Sequence, residues 1–310
     1  MLTKNFLLVA GAAILFAGCS TVKKEDSSPE IKTPIAEKVP KELVAQGHTR
    51  IDNYYWMKLT DQQKNAEKKD EQAQKVLDYL NAENDYLKEK LKHTEPFQEK
   101  LYKEIIGRIK QTDESVPYLN NGYWYYDRYE EGLEYPIYCR RRGSMNAAEE
   151  IILNVNDLAR GHDYCSVRSL TVSEDNNLLA YGMDTVSRRR YTLYVKDLRT
   201  GKLTDSPVPN TEGYVAWAND NKTFFYSKKD SVTLRSNQIY RHRINTDPAK
   251  DPLIYREDDA TFYTGIYKTK SEKYLVISSF STLTNHYQIL NANQPEGKFS
   301  EFSPRERGIE

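Results

Sequence analysis

The sequence predicts a mainly β fold: a partial β-propeller preceded by amphipathic helices. Three observations carry this reading. The apolar period changes from helical to strand-like near Asp113, a turn-and-strand unit recurs through the second half, and tyrosine is in excess. Among 310 residues there are 24 Tyr against 9 Phe and 3 Trp, and tyrosine suits the half-buried pleated surface of strands. The length allows one large or two ordinary domains. Lys+Arg and Asp+Glu are equal at 45 each, so net charge gives no reason to expect nucleic acid or an anionic surface as partner. Three cysteines are too few for a disulfide scaffold.

Residues 1–19 read as a lipoprotein signal peptide. Lys4 supplies a positive start, and the apolar run from Phe6 to Phe16 is shorter than the ~20 residues a spanning helix needs. Phe16-Ala17-Gly18-Cys19-Ser20 resembles a bacterial lipobox, with Phe16 where Leu is more usual. Cys19 is therefore the expected lipid attachment site. Acyl chains on it would hold the protein at a bacterial membrane, periplasmic or surface-facing, at ~0.8 kcal/mol per buried methylene. Residues 20–45, rich in Lys, Glu, Ser and Pro, read as a flexible tether.

Residues 46–112 read as a helical segment. Ala73, Leu77, Leu80, Leu87 and Leu91 share one helix face. Thr94 offers an N-cap, with Glu95 and Pro96 in the first turn. Phe97, Leu101, Ile105 and Ile109 then repeat at intervals of four. Two helices joined near His93, each with an apolar stripe in need of a partner, follow from this spacing.

Residues 113–310 read as the partial propeller. Ser115-Val116-Pro117 ends the helical period. Residues 122–129 and 134–141 flank Glu130-Glu131-Gly132-Leu133 as a hairpin with a four-residue loop. Polar turns at 173–177, 218–222 and 270–273 each precede a short β-rich strand, with a second strand following at 191–195, 238–242 and 287–290. Turn spacings of roughly 45 to 50 residues suit four-stranded blades, and with the first hairpin they make about four. An irregular antiparallel sandwich is the alternative.

Chemistry-bearing motifs are few. No G-x-S-x-G nucleophile elbow occurs in the sequence, and no catalytic residue is assigned. His48, His93, His162, His242 and His286 show neither helical metal spacing nor a zinc-finger pattern, and read as surface or hydrogen-bonded side chains. No motif calls for a cofactor or a metal. The triplets Arg140-Arg141-Arg142 and Arg188-Arg189-Arg190 read as solvated arginines or salt-bridge partners. Glu257-Asp258-Asp259 reads as a solvated loop, because its spacing is not that of a calcium loop. Spacing leaves open whether Cys139 and Cys165 pair.

Several strings together resemble the prolyl oligopeptidase family, and oligopeptidase B within it. They are Asp52-Asn53-Tyr54-Tyr55-Trp56-Met57, the helix string 79–86, the crossing 108–117, and the strings 134–141, 150–162 and 257–263. They are collinear, and the similarity runs from about Gly47 to the last residue. The resemblance implies about four blades of an expected seven. It implies amino-terminal helices that pack on an α/β-hydrolase domain absent from this chain, which would carry the serine, histidine and aspartate. It implies a serine oligopeptidase that cleaves short basic peptides after Arg or Lys, with the propeller gating access. On this reading the 310-residue chain is a truncated form, inactive alone and prone to associate. A free-standing β-propeller binding lipoprotein and a post-proline oligopeptidase of the same superfamily are the alternatives.

Overall fold

The computed structural model describes residues 31–308, which fall into two compact units divided after Arg108.

The first unit begins with a hairpin. Strand β1 (Lys41–Ala45) pairs antiparallel with β2 (His48–Asp52). Gln46 and Gly47 turn between them, both at positive φ (53° and 78°), the conformation a two-residue hairpin turn requires. Residues 41–45 are thus a strand and not the end of a tether, and the helical segment expected from residue 46 starts as the partner strand. The chain before the hairpin is also pinned. The Val39 amide donates to the Asn53 carbonyl at 2.9 Å, and the Trp56 indole donates to the Glu37 carbonyl at 2.9 Å.

Three helices follow: α1 (Asp61–Asn65), α2 (Glu71–Leu91) and α3 (Glu95–Gly107). Thr60 and Gln63 form a reciprocal capping box on α1, and the Asp70 carboxylate accepts from the Ala73 amide at 2.7 Å to start α2. Thr94 does not act as the expected cap. A 3-10 turn, Lys92–Thr94, carries the chain from α2 to α3 without leaving helical backbone angles, and the Thr94 hydroxyl donates back to the Leu91 carbonyl at 2.6 Å. No extended cap position arises at such a junction. Ala73 and Val76 are buried, whereas Leu80, Leu87, Leu91, Phe97, Leu101 and Ile105 are exposed. The apolar stripe read from the sequence therefore remains largely open.

The second unit is antiparallel throughout, and its strands form four successive four-stranded blades. The first is β3 (Tyr118–Asn120), β4 (Tyr123–Arg128), β5 (Ile137–Arg142) and β6 (Glu149–Asn154), closed by the short helix α4 (Val155–Leu158). Asn121 and Gly122 turn tightly between β3 and β4 at φ 45° and 80°. The β4–β5 connection is longer than the four residues expected. Pairing stops at Arg128 and Ile137, which leaves Tyr129 to Pro136 as an eight-residue loop. Pro136 has no amide to continue the ladder, and Glu130 to Leu133 instead close a turn at 3.0 Å.

The next blades share a strand. They comprise β7 (Ser166–Val172), β8 (Leu178–Asp184), β9 (Tyr191–Asp197), β10 (Val208–Trp217), β11 (Thr223–Lys229), β12 (Ser236–Arg243) and β13 (Leu253–Arg256), hydrogen-bonded as one seven-stranded sheet. The start of β10 completes the second blade by pairing Val208 with Leu193 and Thr211 with Tyr191. Its end opens the third blade by pairing Val215, Ala216 and Trp217 with β11. The crossover lies at Gly213, whose φ is +92° and where a Cβ would stand 2.8 Å from the Tyr191 ring. Only glycine fits that turn. The fourth blade is β14 (Tyr263–Lys268), β15 (Tyr274–Phe280), β16 (Asn285–Asn291) and β17 (Ser300–Glu301).

The recurring polar turns are the β7–β8, β10–β11 and β14–β15 connections. In each one residue near the tip, Asn176, Asn221 or Glu272, takes a positive φ, which lets the chain reverse at once into a buried strand. Those strands are apolar on both faces because alternate residues meet different blades. On β8, Leu178 and Ala180 face the third blade while Leu179 and Tyr181 face the first. On β11, Phe224 and Tyr226 pack against the second blade and Phe225 against the fourth.

Candidate functional site: a cleft with cationic and aromatic walls

Strand β10 lies alongside both β7 and β14, and a cavity of about 490 Å³ opens where the ends of these three strands meet the loops after β8 and β11. One wall is cationic. Arg168 comes from β7, Arg188 and Arg189 from the loop after β8, and Lys229 from the end of β11. Against these four stands one lining carboxylate, Glu212 on β10. It is already engaged. Lys229 Nζ lies 2.7 Å from Glu212 Oε2, and Arg168 Nη1 lies 3.5 Å from Glu212 Oε1. The Arg168 guanidinium also sits over the Tyr191 ring, 4.9 Å from its centroid.

The opposite wall is aromatic. Tyr263 and Phe280 stack with centroids 6.1 Å apart, and both are about half exposed. Leu234 adds further exposed apolar surface, and so does Tyr214, whose ring lies beside the cationic wall with its centroid 5.8 Å from the Arg168 guanidinium. Below them Ser236 Oγ donates to the Thr264 carbonyl at 2.8 Å, and Thr264 and Ser279 hydroxyls meet at 2.9 Å. Arg235 donates to the carbonyls of Asp259 (2.8 Å) and Phe262 (2.6 Å), which fixes the end of the loop after β11 to the β13–β14 connection. The cleft is therefore a recess with rigid sides. It can bind a mixed polar and apolar ligand, but its lining offers no nucleophile paired with a base.

Two other charged clusters are structural. His242 on β12 is fully buried between two carboxylates: its Nε2 is 2.8 Å from Asp205 Oδ2 and its Nδ1 2.9 Å from Asp251 Oδ1. Burial pulls its pKa down, but the hydrogen bonds and charges of Asp205 and Asp251 outweigh this and hold it at about 9. Both ring nitrogens are occupied, so the imidazolium ties strands together and has no free position for a substrate. Glu257 is the second case. It is 4% exposed and pairs with Arg305 at 2.5 Å, so the solvated loop expected at 257–259 is wrong at its first residue. Neither long-range partner is announced locally: Glu257 and Arg305 lie 48 residues apart and His242 and Asp205 37 apart, and only Asp251, nine residues from His242, is near in the chain.

The remaining sequence candidates are placed as follows. Arg140 is buried and bound to Glu150 at 2.8 Å, so it is a salt-bridge partner. Arg188, Arg189 and Arg190 are exposed, and two of them line the cleft, which reading them as mere surface charge missed. Cys139 and Cys165 are both buried free thiols, and burial pushes Cys139 up to about 11. Cys19 lies outside the described residues.

Comparison with known proteins gives a consistent result. The family model described as the prolyl oligopeptidase N-terminal beta-propeller domain matches residues 34–309. Dipeptidyl aminopeptidase BI of Pseudoxanthomonas mexicana is 37% identical over 98% of this chain and 42% of its own length. Protease 2 of Moraxella lacunata is 32% identical over 90% of this chain and 40% of its own. The solved oligopeptidase B from Leishmania major superposes with a TM-score of 0.79 at 28% identity, over 90% of this chain and 40% of that one. The chain thus spans about two fifths of the length of the relatives it matches.

Proposed function

Because the chain belongs to the prolyl oligopeptidase family through its N-terminal β-propeller domain, we propose that it is the non-catalytic part of a serine oligopeptidase that cleaves short peptides after Arg or Lys. The observation that carries this is the family match across 34–309, supported by 28% identity to a solved oligopeptidase B over 90% of the chain. The blades form a screen that admits short peptides and excludes folded proteins. The exposed stripe of Phe97, Leu101 and Ile105 is the surface on which the hydrolase domain packs, and that domain supplies the serine nucleophile, its histidine base and the oxyanion hole. We place the protein at the bacterial cell envelope, anchored through lipid on Cys19, with short basic peptides as substrates.

A second reading has its own support. The 37% identity to a protein named dipeptidyl aminopeptidase favours removal of dipeptides from free amino termini. One experiment separates the two. The native protein is captured from its own cells with an antibody raised against this chain and offered Arg- and Lys-linked reporters with blocked or free amino ends. Cleavage of blocked reporters, stopped by a serine-directed reagent, supports the oligopeptidase. Cleavage of free-amino dipeptide reporters alone supports the second reading. Cleavage of neither overturns both and leaves a β-propeller binding lipoprotein.

A further inference from the structure

Resting on the oligopeptidase reading above, we propose that the cleft among β7, β10 and β14 is a binding site for a peptide carboxylate, which holds an entering peptide by its acidic end. Glu212 is shared between Lys229 and Arg168, so that trio keeps one net positive charge, and Arg188 and Arg189 add two more with no lining carboxylate of their own. Among the described residues neither guanidinium pairs with a carboxylate; Arg188 Nη1 donates only to the Ser187 carbonyl, at 3.4 Å. A planar guanidinium fork matches the two oxygens of a carboxylate, and two adjacent forks make a selective receptor for one.

The loop carrying these arginines is held in place before any ligand arrives. The Asp184 carboxylate, buried beneath it, accepts from the amides of Val186 (2.9 Å), Arg188 (3.0 Å) and Arg189 (2.7 Å). The Arg189 carbonyl in turn accepts from Lys229 at 2.6 Å. Fixed donors lower the ordering cost of binding. Across the cleft the stacked pair Tyr263 and Phe280 offers a flat apolar surface for peptide side chains. The volume, about 490 Å³, falls in the usual range for small-ligand sites.

The arrangement has a directional consequence. A peptide with a basic side chain at the scissile end and a free carboxylate at the other is repelled by this wall at one end and attracted at the other. The cleft would therefore set which way round a peptide enters.

The test uses the full chain and a dye-labelled apolar pentapeptide in three forms: free C-terminal acid, C-terminal amide, and amide with one internal Asp. The acid is expected to bind about tenfold more tightly than the plain amide, a factor that ~1.4 kcal/mol supplies, and the preference is expected to shrink at high salt. Binding of the Asp-containing amide as tight as the acid means that the site reads any peptide carboxylate; binding as weak as the plain amide means that it reads the chain end. Both results support the site. Arg188→Gln with Arg189→Gln should abolish the preference with no change in melting temperature, because both side chains are exposed. Arg188→Lys with Arg189→Lys, which keeps the charge, should retain part of it, so the result does not rest on one variant folding. Equal binding of acid and plain amide, or a preference that survives the Gln substitutions, overturns the proposal. Carboxylate preference without Arg- or Lys-directed cleavage by the native protein removes the oligopeptidase reading and leaves the site; cleavage without preference does the reverse.

Discussion

The Nε2 atom of His242 lies 2.8 Å from Asp205 Oδ2, joining a strand of the third blade to the β9–β10 loop within the second. With Asp251 on its other nitrogen, the ring is held as a cation inside the protein, and its pKa is raised from 6.5 to about 9. A raised folded-state value means that the stabilisation is fully present below the unfolded value near 6.5 and disappears as pH climbs through 9.

Thermal melts should therefore show an alkaline loss between about pH 6.5 and pH 9 to which this group contributes on the order of 3 kcal/mol. In His242→Gln the protein should be less stable at pH 6, and the loss across that window should flatten. An unchanged alkaline slope in the variant would show that the imidazole is not charged in the fold.

Gly182→Ala and Gly213→Ala should each destabilise by about 1–3 kcal/mol, the usual cost of overpacking and strained backbone. A Cβ on Gly182 would meet the Gly213 backbone at 2.7 Å, and one on Gly213 would meet Tyr191 while keeping φ +92°. Denaturant melts measure both. Gly201→Ala is the control, since it has a positive φ but open space around it, and it should cost less than Gly213→Ala.

Arg305→Ala leaves Glu257, 4% exposed, without its ion-pair partner. The loss should be about 2–3 kcal/mol, toward the low end for a broken buried pair because Arg305 itself is partly exposed. Burial pushes the Glu257 carboxyl up, but the Arg305 and Tyr255 hydrogen bonds win and hold it below its ordinary 4.5. Its contribution is thus present above that value and lost as pH falls. Acid unfolding of the variant should show a shallower slope below pH 5 than the parent.

The exposed α2 and α3 stripe should drive self-association of the 310-residue chain, since large apolar patches are rare on monomeric surfaces. Phe97→Ser with Ile105→Ser, at positions 65% and 51% exposed, should raise the monomer fraction in sedimentation and leave the melting temperature nearly unchanged. Equal association in both proteins would move the sticky surface elsewhere.

Cys19→Ala should release the protein from membranes in cell fractionation. Equal membrane retention of both forms would remove lipid anchoring as the mechanism.

Much of the blade architecture was legible in the chain because its signals are local. A polar turn with Asn176 or Asn221 at its tip, followed by a buried strand such as Thr223–Lys229, repeats visibly. Pairings across long separations were not legible. Nothing near His242 announces Asp205, and nothing near Glu257 announces Arg305. Strand limits failed where one residue had two readings. Lys41–Ala45 is polar enough to pass for linker and becomes a strand only by pairing with His48–Asp52. Thr94 has the chemistry of a cap but sits where the helix does not stop. The cleft is not legible in the sequence because its arginines are unremarkable until β10 and β14 bring Tyr214 and Tyr263 into the same cavity with them.

A strand that finishes one blade and begins the next has a cost for anyone who would cut the gene into modules. Severing the chain within Val208–Trp217 strips the second blade of its outer edge and the third of its first strand at once. The two should then lose amide protection against solvent exchange together, as one cooperative block. The connection between β13 and β14 parts two sheets without cutting a shared strand, but Arg235 and Arg305 tie it down from both sides. Deletions and insertions that respect the visible repeat, turn to turn, would land in the wrong place.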